Sequence, residues 1–109
     1  MKKFCLALDL IDEPELIAEY EKYHQNVWPE IKQSILDSGI INMEIYRVQN
    51  RLFMIVEVED NFSFEAKNEA DKNNLKVQEW EELMWKFQQQ LPNSKPGEKW
   101  QLMDKIFSL

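Results

Sequence analysis

Only two glycines, Gly39 and Gly97, and four prolines punctuate 109 residues. So few breakers confine the chain to long regular elements joined by short turns. Between them the apolar residues switch from a period of two to a period near 3.6 and back, and the order of the switches sets the fold. Residues 3–11 alternate. Phe4, Leu6, Leu8 and Leu10 face one way, and Cys5, Ala7, Asp9 and Ile11 the other, which predicts a strand. Asp12 reads as a helix N-cap, with Glu15 closing a capping box and Pro14 in the first turn. Leu16, Ile17, Tyr20, Tyr23 and His24 then keep helical spacing. Trp28-Pro29-Glu30 restarts a helix with proline where its missing N–H costs nothing. Ile31, Ile35 and Leu36 form the buried stripe of that helix, and Gly39 is its left-handed stop.

Residues 40–48 and 51–59 read as two strands, the second with Leu52, Met54, Val56 and Val58 on one face. Gln49-Asn50 between them predicts an antiparallel hairpin. Residues 60–76 are polar and partly helical. Residues 77–89 predict a helix, with Trp80, Leu83, Met84 and Phe87 at i, i+3, i+4 and i+7. A loop from Pro92 to Gly97 leads to residues 100–107, where Leu102, Asp104 and Ile106 alternate with Met103, Lys105 and Phe107 as a fourth strand. The order β-α-α-β-β-α-β is the ferredoxin-like pattern with a split first crossover. The expected fold is α+β: one domain over residues 1–109, an antiparallel sheet with helices on one face. Tyr46, Val48, Phe53 and Ile55 fall on the uncovered face. They must pack against a second copy or line a cleft, and the two are compatible.

Charge narrows the function. Thirteen basic against twenty acidic side chains give a net charge of −7, the wrong sign for phosphate backbones or an anionic membrane surface. Neutral or cationic small ligands and protein partners remain. Cys5 is the only cysteine, so no intrachain disulfide can form. No apolar run approaches the length that spans a bilayer. Asp9 ends the basic-then-apolar start too early for a signal peptide. The expected setting is cytoplasmic.

His24 is the only histidine, and histidine alone has an unperturbed pKa that places proton transfer near neutrality. Tyr20 lies one helical turn before it and Trp28 four residues after. The plain alternative is a helix end, with His24 bonded to the last carbonyls and the aromatics packed around it. The tryptophans Trp28, Trp80, Trp85 and Trp100 serve either as core or as platforms for a sugar's C–H faces. Glu79, Glu81 and Glu82 read as a solvated helix face, and Glu44, Glu57 and Glu59 as sheet-edge solvation. One histidine with scattered carboxylates gives no metal-ligand spacing. There is no P-loop, dinucleotide fingerprint or nucleophile elbow.

The run Tyr20-Glu21-Lys22-Tyr23-His24-Gln25-Asn26-Val27-Trp28-Pro29-Glu30 resembles the signature helix of the L-rhamnose mutarotase family, also described as rhamnose/fucose mutarotases. The resemblance continues through Gly39, Ile45-Tyr46, Leu52-Phe53-Met54, Gln78-Glu79-Trp80 and Leu91-Pro92. It closes with Lys95-Pro96-Gly97-Glu98-Lys99-Trp100 and Ile106-Phe107. It implies a dimeric ferredoxin-like α/β barrel that interconverts the α and β anomers of a 6-deoxyhexose, with no metal or organic cofactor. It implies proton transfer by His24 and substrate contact by Tyr20 and Trp80. Two positions depart from the rhamnose-type pattern. Glu81 stands where many members have a second tryptophan, and Met43 where they often have a tyrosine. Both are therefore expected to shape substrate choice, leaving L-rhamnose and L-fucose as rival substrates. Two other readings stand beside the mutarotase: a non-catalytic sugar-binding module, and a cofactor-free monooxygenase of the dimeric α/β barrel type.

Overall fold

The computed structural model describes residues 1–109. Strand β1 (Lys2–Leu10) is followed by helices α1 (Pro14–His24) and α2 (Pro29–Asp37), then by strands β2 (Ile40–Val48) and β3 (Arg51–Val58). Helices α3 (Phe64–Lys72) and α4 (Leu75–Trp85) come next. Two short strands close the chain, β4 (Gln88–Gln89) and β5 (Gln101–Leu102). All pairings are antiparallel, in the order β2-β3-β1-β4, and β5 also pairs with β1. This is the expected α+β, ferredoxin-like sheet.

The register explains the two faces. Leu8 of β1 lies opposite Leu52 of β3, and Phe4 opposite Val56. Opposed residues share a face, so one face carries Leu6, Leu8, Leu10, Leu52, Val56 and Val58, all buried. Against it the helices place Tyr20, Ile31, Val77, Trp80 and Met84 in a single apolar cluster with Leu10, Leu52 and Phe87. A second cluster, built on Leu6, Ile40, Val56 and Val58, fills the other end. The opposite sheet face is uncovered, with Tyr46 52% and Val48 69% exposed. Asp9 lies on that face yet is buried, because its cross-strand neighbour Arg51 clamps it with two hydrogen bonds, of 2.6 and 3.1 Å. The same contact holds the Arg51 guanidinium above its ordinary pKa.

Three expectations need correction. Helix α1 has no capping box: its N-cap is Glu13, which makes no side-chain cap bond. The cause is Pro14, which drives the residue before it into extended backbone. Glu13 sits at φ −132°, ψ 121° and so takes the cap position from Asp12. Helix α4 begins earlier than 77, because Asn74 Oδ1 accepts from the backbone N–H groups of Lys76 and Val77. It also ends earlier, at Trp85. Phe87 instead takes the Ile11 N–H on its carbonyl at 2.9 Å, and Gln88-Gln89 pair with β1. The fourth strand over 100–107 shrinks to Gln101-Leu102 plus one further bond, Met103 N–H to the Cys5 carbonyl at 2.8 Å. Its place beside β1 is shared between β4 and β5. Past Met103 the alternating side chains are exposed, Ile106 at 95% and Phe107 at 75%.

Candidate active site

Helix α1 carries the site. Tyr20 and His24 are four residues apart and therefore stack on one face, with ring centroids 4.4 Å apart. His24 closes the helix, and its Nδ1 lies 2.9 Å from the backbone carbonyl oxygen of Tyr20. A carbonyl can only accept, so Nδ1 carries the proton. In the neutral ring this leaves the lone pair on Nε2, the one ring nitrogen left for a substrate. The plain reading of His24 as a group bonded to a helix-end carbonyl is thus fulfilled at one nitrogen. It leaves the other unused.

The imidazole is held from a second side. Its ring stands edge-on to Trp80, with centroids 5.7 Å apart. Trp80 is buried and also meets Tyr23 and Trp28 in edge-to-face contacts at 6.4 and 5.1 Å. The amino group of Lys76 lies 5.8 Å from the centre of the Trp28 ring. Tyr20 is buried as well, and its hydroxyl accepts a long hydrogen bond of 3.4 Å from Gln88 Nε2. Burial pushes the Tyr20 phenol above its ordinary pKa, and the bond from Gln88 offsets only part of that. At neutral pH the group is an intact O–H, able to donate.

Beside these residues lies a cavity of about 460 Å³, within the range of small-molecule sites. Helix α1 contributes Tyr20, Glu21, His24 and Gln25; the sheet contributes Ile45, Tyr46 and Arg47 from β2 and Leu52 from β3. Ile45 and Leu52 give an apolar floor. Glu21 and Arg47 form an ion pair across it. A second depression, between α2 and Asn74, has only polar walls and Pro29, and lacks any contact with the aromatic group. No three His, Cys, Asp or Glu side chains converge to hold a metal ion. No helix is long and apolar enough to cross a membrane.

The structure brings Tyr20, His24 and Trp80, the residues the family resemblance singles out, into ring contact, with Tyr20 and His24 lining the cavity and Trp80 buried behind His24. Glu81 and Met43 stand apart from them. Glu81 points to Lys99, 3.9 Å away, whose amino group lies over the Trp85 ring. Met43 packs on the second apolar cluster, opposite Val56. Sequence reasoning missed Gln88, Arg47 and the part played by Glu21. Gln88 sits in a run of three glutamines that carries no period, so nothing marked it as inward-facing. Arg47 breaks the apolar alternation of β2 on its covered face, and that was the available signal.

Residues 3–109 match the family model described as L-rhamnose mutarotase. The chain belongs to that family. Over 111 aligned residues this mutarotase-family chain is 43% identical to an L-fucose mutarotase of Xanthomonas campestris pv. campestris, covering 100% of this chain and 89% of that one. It is 32% identical over 85 residues to an L-rhamnose mutarotase of Klebsiella pneumoniae, covering 76% of this chain and 74% of the relative. The crystal structure of an L-rhamnose mutarotase from Formosa agariphila superposes with a TM-score of 0.73 at 22% identity, covering 100% of this chain and 99% of that one. At that identity the superposition establishes the shared fold.

Proposed function

We propose that the protein is a mutarotase that interconverts the α and β anomers of a 6-deoxyhexose, with L-fucose preferred to L-rhamnose. The observation that carries the reaction is the division of labour on His24, with Nδ1 committed to the Tyr20 carbonyl and Nε2 left free beside the cavity. The preference is supported by the full-length similarity to an L-fucose mutarotase, against shorter and weaker similarity to L-rhamnose mutarotases. Neither the binding module nor the monooxygenase is favoured by these comparisons.

Mutarotation moves two protons and breaks one C–O bond. His24 Nε2 takes the proton of the anomeric hydroxyl, the C1–O5 bond opens, a solvent water gives the ring oxygen a proton, and the imidazolium returns its proton to the resulting hydroxide. Rotation about C1–C2 and the reverse steps close the ring on the other face of the aldehyde. Tyr20, kept neutral by burial, supplies a hydrogen bond to a sugar oxygen. Trp80, buried behind His24, fixes the imidazole, and Ile45 and Leu52 bound the apolar side of the sugar, including the C6 methyl. Glu81 and Met43 tune substrate choice indirectly, through the Lys99 contact and the packing beneath β2. No redox step or covalent intermediate is needed. Positioned acid–base groups contribute about 10²- to 10⁴-fold.

The test is magnetisation transfer between the two anomeric H1 lines of each sugar, with and without catalytic protein. We expect transfer for L-fucose to exceed that for L-rhamnose. Transfer for neither sugar overturns the proposal.

The proposal includes a cytoplasmic setting, supported by the lone free cysteine, Cys5. It also includes a homodimer of the single 1–109 domain, built on the uncovered sheet face, where Phe53 and Ile55 accompany the exposed Tyr46 and Val48. Covering that face takes a symmetric pairing of two copies. Sedimentation at micromolar concentration is expected to give twice the chain mass, and a monomer rules this part out.

A further inference from the structure

We propose that the Glu21–Arg47 pair is the specificity-determining element of the site and reads the vicinal hydroxyls on C3 and C4 of the sugar. This rests on the mutarotase reading above and adds the part of the substrate that is recognised. Both residues line the same cavity as His24. Arg47 donates its Nε–H to Glu21 Oε1 and an Nη1–H to the backbone carbonyl oxygen of Gln49, the latter at 2.6 Å. Gln49 occupies the hairpin turn at φ 52°, so the guanidinium is braced by the turn on one side and by α1 on the other. An unbraced surface ion pair has neither anchor.

The bracing leaves defined groups unused. Of the five N–H donors of a guanidinium, two are engaged here and three are not. Glu21 Oε2 accepts from nothing in the fold. A rigid donor fork next to a free carboxylate oxygen complements two adjacent hydroxyls, each of which accepts and donates. Position decides which hydroxyls these are. Glu21 stands three residues before His24 on α1, one turn away, with Cβ atoms about 5–6 Å apart. With the anomeric carbon at His24, the pair faces the far side of the pyranose ring. L-Fucose presents a cis 3,4-diol there, with an axial O4 standing out of the ring plane. Its C4 epimer, 6-deoxy-L-glucose, places O4 in the ring plane, where a fork fixed for the axial oxygen does not reach it. Unpaired polar groups are what make such a site reject the wrong sugar.

The experiment compares kcat/KM for anomer exchange of L-fucose and 6-deoxy-L-glucose in wild type, Arg47→Met and Glu21→Gln. Wild type is expected to favour L-fucose at least tenfold. In both variants that ratio falls at least tenfold, with the change carried by KM for L-fucose. Glu21→Gln preserves shape, so the test survives if Arg47→Met does not fold. A ratio unchanged within twofold in the active variants overturns this assignment alone. No exchange of either sugar by wild type overturns the mutarotase reading itself, and this assignment with it.

Discussion

Replacing His24 with alanine slows protein-driven anomer exchange by about 10²- to 10⁴-fold, the range that a positioned acid–base group supplies. The fold survives. The side chain is only half-buried, and its one hydrogen bond, to the Tyr20 carbonyl, is worth about 1 kcal/mol. His24→Asn separates the two nitrogens. Its amide can still donate to that carbonyl, but nothing replaces Nε2, so stability recovers while exchange does not. The measurement is magnetisation transfer on L-fucose, with urea unfolding on the same samples. Exchange at the wild-type rate in His24→Ala would show that another group moves the proton.

Trp80→Ala has the largest expected effect on stability. Truncating a buried tryptophan costs about 3–5 kcal/mol, a large part of the roughly 5–15 kcal/mol that holds a domain together. Trp80 touches Tyr23, His24 and Trp28, which belong to α1 and to the connection into α2. The loss is therefore felt by three neighbours that cannot collapse together into the space left behind. Trp80→Phe keeps a ring there and is expected to cost less than half as much. A loss below 1 kcal/mol for the alanine variant in urea would remove Trp80 from the core. Exchange activity is expected to fall in step, because the imidazole loses the edge contact that orients it.

The parts of this fold that could be read from sequence are those where one period runs unbroken. Leu6, Leu8 and Leu10 alternate without interruption, and Leu52, Met54, Val56 and Val58 do the same; both strands lie where the alternation puts them. Pro29 and Gly39 bracket α2 by backbone geometry alone, with Gly39 at φ 97°. The end of the chain was not legible in this way. Alternation over 100–107 describes what a strand could be. Pairing depends on a free edge, and Gln88-Gln89 already occupy the end of β1 that Asp9 and Leu10 present. The site divides similarly. Tyr20 and His24 share a helix face, and spacing reveals that. Trp80 reaches them across 56 residues, which only the family resemblance could supply. Gln88 is a polar residue turned inward, and its polarity gives no sign of direction, whereas Arg47 shows only as a break in the apolar alternation of β2.

The arrangement around β1 also sets the order in which the molecule can be completed on the ribosome. This strand is synthesised well before residues 88–89 and 101–103, which fill one of its edges. Contacts so distant in sequence close late. The nascent chain therefore carries an open β-edge until residues 101–103 clear the exit tunnel, and an edge of that kind invites pairing with other chains. A product truncated before Phe87 would keep that edge open for good. It would also lack Gln88, the only side chain that hydrogen-bonds the Tyr20 hydroxyl.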